Sequence, residues 1–143
     1  DPNNPVKRFS LAQAAVEKLK EKFSVELITT SNVPHALMPS YMNACDALLL
    51  TSLHEGSPNV VKEALACNLP VVSVDVGDVR QRLDGIDGCV VCADDLPGTI
   101  AQGLTRVFER DQRISGRETV RDLDVKLLAK KLISVYEQAL SHS

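Results

Sequence analysis

Apolar residues fall along this chain in two alternating patterns: short unbroken runs, and longer stretches with helical period. The runs at Ala47–Thr51, Pro70–Val74 and Cys89–Cys92, with another at Val25–Thr30, read as short strands. Ahead of them, Leu11, Ala14, Ala15, Val16, Leu19 and Phe23 predict an amphipathic helix reaching about Lys22, opened by Ser10 in a capping box with Gln13. Pro34 and Pro39 punctuate a short helical stretch to Cys45, and a capped helix is expected over Pro58–Cys67. A short helical piece follows at Val79–Leu83. Asp94 or Asp95 begins a further helix with Ile100, Leu104, Val107 and Phe108 on one face. Val125, Leu128, Leu132, Val135, Tyr136 and Ala139 line the last one.

Continuously apolar strands alternating with helices imply a parallel sheet covered on both faces. The expected fold class is therefore α/β, a Rossmann-like doubly wound parallel sheet. There is no internal repeat, linker or low-complexity tract, so residues 1–143 read as one domain. Sheets of this class bind ligands beyond the carboxyl ends of their strands. Those ends fall at Thr30–Val33, Ser52–Ser57 and Asp75–Asp78.

Composition narrows the function. A chain of 143 residues, 44% hydrophobic and 24% charged, can bury a full core. A formal net charge of −3, without a dense basic run, argues against nucleic acid as a partner. Two Tyr, three Phe and no Trp provide no platform for stacked bases. No apolar run approaches the roughly 20 residues that span a bilayer, and no signal peptide is visible, so the default compartment is the cytoplasm. Cys89 and Cys92 have redox or zinc spacing but lie in a strand-like run with no second pair; all four cysteines read as reduced, mostly buried thiols. No His/Asp/Glu cluster has metal-ligand spacing. His35, His54 and His142 read as solvated loop or terminal residues, although His54 flanks the most informative segment.

That segment is HEGSPNVVKE, from His54 to Glu63. It puts Glu55 on a tight loop at the end of a strand and Glu63 on the helix that follows. Ser57 suits the N-cap and Pro58 the first helical position. The amides of Asn59 and Val60 then point out of the helix start, at the positive end of its dipole. Gly56 allows a turn or a close ligand approach. Helical side chains lean toward the N-terminus, so Glu63 can reach back toward a ligand held at the loop. Carboxylates that accept from sugar hydroxyls, with free N–H groups between them, suit a phosphate-bearing, hydroxyl-rich ligand such as a nucleotide sugar.

Residues Tyr41 to Val72, and more loosely Pro5 to Leu140, resemble retaining glycosyltransferases of the group 1 (family 4) type, with Glu55 and Glu63 in the places of the family's E-x7-E motif. The resemblance implies the nucleotide-sugar-binding C-terminal lobe of a two-lobed GT-B enzyme, a hexosyltransferase needing no metal for its chemistry. Glu55 would be the catalytic-site carboxylate near the donor sugar, and Glu63 would accept from the ribose hydroxyls. Lys7 would neutralise the diphosphate, with Arg8 beside it. Gly56, Ser57, Asn59 and Val60 would form the phosphate-facing loop and helix start, and Thr30–Val33 would border the nucleobase.

Two departures stand out. Pro2 occupies the place of an arginine that usually lies five residues before the lysine, which leaves Arg8 as a substitute. Ser57-Pro58-Asn59 replaces the usual aromatic-Gly pair, which suggests the Ser57 hydroxyl as a phosphate ligand. In the family a buried strand and an acceptor-binding lobe precede this region, so the chain is expected to lack its first strand and to turn over poorly alone. Competing readings are a nucleotide-sugar epimerase or a phosphorylase of the same architecture, and a catalytically silent nucleotide-binding or regulatory domain. A receiver-like signalling domain is disfavoured because Asp46 begins its strand rather than ending it.

Overall fold

The computed structural model describes residues 2–141. Three parallel strands, β1 (Leu48–Leu50), β2 (Val71–Ser73) and β3 (Val90–Val91), form a sheet in that order. Leu48 pairs with Val71 and Leu50 with Ser73, while Val72 pairs with Val90. Consecutive strand residues point to opposite faces, and Val71, Val72 and Ser73 are all fully buried, so β2 is covered on both sides.

The helices are α1 (Phe9–Leu19), α2 (Met38–Ala44), α3 (Asn59–Ala66), α4 (Val79–Leu83), α5 (Pro97–Arg110) and α6 (Val125–Ser141). Helix α5 packs on one face of the sheet, where Gly103 lies against Val72, Val90 and Cys92. Helix α1 packs along α5, a contact reinforced by Phe23 and Phe108 with ring centroids 5.4 Å apart. Helix α3 buries Val61, Ala64 and Leu65 against the core and meets the 3-10 segment Arg117–Leu123. Helix α6 has no buried residue and touches only that segment substantially; its apolar stripe faces outward.

Several expectations change. Ser10 does not cap α1: the helix starts two residues earlier than that cap implies, at Phe9 after Arg8 in a left-handed conformation (φ 47°), with no side-chain cap. The regular helix ends at Leu19 rather than Lys22, although the amides of Lys22 and Phe23 still bond to Leu19 O. The helix expected from Asp94 or Asp95 starts at Pro97; Asp94 instead accepts from the Leu96 amide two residues on. Of the four free cysteines only Cys92 is fully buried, and burial pushes the Cys45, Cys89 and Cys92 thiols up.

The largest change is at Val25–Thr30, which forms no strand. Val25 and Leu27 turn inward and their neighbours outward, as a strand would, yet residues 24–29 make no backbone–backbone hydrogen bond. The reason is the absence of a neighbour. Between this segment and β1 runs a cavity of about 540 Å³, lined by Val25, Leu27, Leu48, Leu50, Val16 and Phe108 among others. In a parallel ladder alternate residues bond to one side, and Leu48 N–H and Leu50 O already bond to β2. The Leu49 amide and carbonyl therefore face the cavity. No described segment enters it, so residues 24–29 have the periodicity of a strand without a ladder to join.

Candidate functional site

The carboxyl end of β1 is held by residues far away in sequence. Pro5–Lys7 forms a 3-10 turn whose start is capped by Asn4, with Oδ1 accepting from the Val6 amide at 3.0 Å. Val6 O accepts from the Leu53 amide at 2.8 Å, and the Thr51 hydroxyl donates to Lys7 O at 2.9 Å. Arg8 is committed to the same junction: its guanidinium donates to Thr51 O at 2.6 Å and to Asp95 Oδ2 at 2.5 Å. It therefore ties β1 to the loop before α5.

This scaffold brings Lys7 onto the motif loop. Lys7 Nζ donates to Glu55 Oε1 at 2.6 Å, with the lysine 44% exposed and the glutamate 17% exposed. Partial desolvation acts to raise the Glu55 carboxyl, but its interactions with Lys7 and Ser52 together outweigh it and hold the group below the usual range. The carboxylate is ionised at neutral pH.

The loop then runs through Gly56, Ser57 and Pro58 into α3. Pro58, not Ser57, is the N-cap, and no side chain caps the helix. The Ser57 hydroxyl instead donates to Asp78 Oδ2 at 2.5 Å, so its single proton is not available to a phosphate in this arrangement. The Val61 amide bonds to Pro58 O at 3.2 Å, while Asn59 and Val60 keep first-turn amides with no backbone partner. The Asn59 side chain accepts from Lys62 Nζ at 3.3 Å. A Cβ on Gly56 would meet nothing within 4 Å, and its φ is ordinary. The turn does not require glycine there; the space beside it is open to a ligand.

Glu63 lies on α3, 32% exposed, with His35 Nε2 at 3.1 Å from its Oε1. Sequence reasoning set His35 aside, and no local signal links residues 28 apart. Another residue missed in the sequence is Asp78, which anchors the loop; only its place at the end of β2 hinted at a role. His54 is exposed beside Glu55, and His142 lies outside the described residues. Thr30–Val33 forms a turn with the Val33 amide on Thr30 O. Among the described residues no three His, Cys, Asp or Glu side chains come together as a metal site, and no helix is long and apolar enough to cross a membrane.

The structure thus gathers Lys7 with Glu55, places Glu63 on the adjoining helix, and leaves the amides of Asn59 and Val60 between the two carboxylate positions. The sequence profile of the glycosyl transferases group 1 matches residues 6–110, which includes every one of these groups. The chain belongs to the group 1 glycosyl transferases. Residues of this domain are 36% identical over 85 positions to a Bacillus subtilis (strain 168) protein assigned to teichuronic acid biosynthesis as the glycosyltransferase TuaC; the match covers 59% of this chain and 21% of that protein. They are 28% identical over 120 positions to a 2-deoxystreptamine N-acetyl-D-glucosaminyltransferase of Streptomyces fradiae, covering 80% of this chain and 27% of the relative. The chain therefore spans about a quarter of the length of the curated relatives it matches.

Proposed function

We propose that this domain binds a nucleoside-diphosphate sugar and presents it for retaining transfer of the sugar to an acceptor hydroxyl. The observation that carries the reading is the Lys7–Glu55 pair at the carboxyl end of β1, directly ahead of the unpaired first-turn amides of α3. Lys7 and the Asn59 and Val60 amides take the diphosphate, where a cation and a helix start offset the charge that develops on the leaving nucleotide. Glu63 accepts from the ribose hydroxyls, displacing its contact with His35. Glu55 accepts from the donor sugar near the reacting carbon once Lys7 swings to phosphate. The leaving phosphate then takes the acceptor proton on the same face of the sugar. Gly56 leaves room for the ligand, and Ser57 holds the loop's shape rather than the phosphate. Arg8 acts through the scaffold, since its donors hold Thr51 and Asp95.

The acceptor is bound by a lobe outside residues 1–143, as the short span of the match to the relatives suggests. No metal is assigned a step. Four free thiols fit a reducing compartment, and we place the domain in the cytoplasm. Titration with UDP, GDP and ADP, and with their sugar conjugates, tests the reading. Binding of one nucleotide, localised to Gly56–Val60 and Glu63, supports it. Absence of binding by all of them, in this chain and in the full-length protein, refutes it.

A further inference from the structure

Beyond β2 the chain turns through Val74–Asp78 and enters α4, and this loop touches the motif loop along its backbone. Gly77 has φ +56°, and a Cβ there would stand 2.3 Å from Gly56 O and 2.8 Å from Glu55 O. Only glycine permits that approach. The next residue, Asp78, grips the same loop twice: its amide donates to Gly56 O at 3.0 Å, and its Oδ2 accepts from the Ser57 hydroxyl at 2.5 Å. Arg82 Nε, one helical turn later, donates to that same Oδ2 at 2.9 Å, while Oδ1 is buried without a hydrogen bond.

We infer that Asp78 is a positioning residue that sets the height of the Glu55–Pro58 loop and thereby the fit of the sugar-bearing donor. The inference rests on the donor-binding reading above. The motif loop is fixed from two sides. Toward the N-terminus, Val6 and Lys7 hold Leu53 and Glu55; toward α4, Asp78 holds Gly56 and Ser57. Glu55 lies between these anchors, so a shift at Ser57 moves the one carboxylate assigned to the sugar while leaving Glu63, farther along α3, in place. Arg82 balances the Asp78 charge, so the anchor adds little repulsion to a diphosphate nearby. Burial acts to raise the Asp78 carboxyl, but hydrogen bonds from Ser57 and Arg82 outweigh it and keep the anchor ionised.

The test compares Asp78→Ala, Asp78→Asn and Ser57→Ala in the chain by amide NMR. In unliganded protein, Asp78→Ala is expected to shift the Gly56 and Ser57 amides and speed their exchange, with β2 amides unchanged. In the titrations, Asp78→Ala should weaken the sugar conjugate about tenfold or more, the size of a lost charge-assisted hydrogen bond, and the bare nucleoside diphosphate less than about threefold. Asp78→Asn, which keeps an acceptor, should fall between. Ser57→Ala removes only the hydroxyl and covers the case in which Asp78→Ala fails to fold; it should reproduce the direction of both effects. Equal losses for both ligands together with a general fall in stability would mean a merely structural role and overturn the inference. Unchanged loop amides in Ser57→Ala and Asp78→Asn would also overturn it. If neither this chain nor the full-length protein binds any of the nucleotides, the donor-binding reading fails, and the exchange comparison alone decides whether Asp78 positions the loop.

Discussion

Lys7 Nζ and Glu55 Oε1 lie 2.6 Å apart although the residues are separated by 48 positions, and their contact closes the carboxyl end of β1. The pair joins the cation assigned to the leaving diphosphate to the carboxylate assigned to the donor sugar. Because the Glu55 carboxyl is held below its ordinary value in the folded protein, folding favours the ionised form. That contribution is present above the unfolded glutamate value, about 4.3, and is lost as pH falls through the lower folded value. Thermal unfolding of wild type and Glu55→Gln should therefore differ at pH 7, and the gap should close as the pH drops below about 4. A gap that is constant over that range would mean the pair does not favour the ionised carboxylate.

The two glutamates are assigned separable work. Glu63→Ala should weaken nucleotide binding by roughly 1.5–3 kcal/mol, as expected for lost charge-assisted hydrogen bonds to ribose. Glu55→Ala should leave bare nucleotide affinity nearly unchanged and weaken only the sugar conjugate. Calorimetric titration of both variants with both ligands reads the difference, and parallel losses would contradict the assignment.

Two glycines whose backbones meet should respond very differently to alanine. Gly77→Ala meets a left-handed φ and a carbonyl oxygen at 2.3 Å, so urea unfolding should show a loss of about 1–3 kcal/mol from backbone strain, with steric displacement adding to it. Gly56→Ala enters open space and should stay within about 0.5 kcal/mol of wild type. If Gly56→Ala proved as destabilising as Gly77→Ala, the loop would have to be packed differently.

Residues 24–29 carry the hydrophobic alternation of a strand without its hydrogen bonds. Their amides should exchange with solvent almost as freely as those of an unfolded loop, while the Val72 amide in β2 is protected. Strong protection across 24–29 would mean that the chain fills the cavity beside β1 in solution.

What could be read in the sequence was what local chemistry determines. The strand leading into Glu55, the helix carrying Glu63, and the α/β order all follow from apolar runs and helical spacing. Local rules failed where a distant partner competed. Ser57 has a good capping side chain, but its hydroxyl is turned toward Asp78 rather than back to the first-turn amides, and Pro58 is the N-cap instead. Ser10 lost its capping role because Arg8, fixed by Thr51 and Asp95, takes the N-cap two residues earlier. The strand expected at Val25–Thr30 failed for a related reason: alternation marks a face, but a strand exists only with a neighbour. The His35 contact to Glu63 and the Asp78 clasp join segments with no shared local pattern, so neither contact left a signal beyond the place of Asp78 at a strand end.

The central claim is that the Glu55–Glu63 segment is a nucleotide-sugar site, and amide NMR titration with UDP, GDP, ADP and their sugar conjugates tests it most directly. Saturable shifts are expected for one base, clustered at Gly56, Ser57, Asn59, Val60 and Glu63, with the sugar conjugate adding shifts at Glu55. Shifts that spread elsewhere, or none for any base in this chain and in the full-length protein, would contradict it.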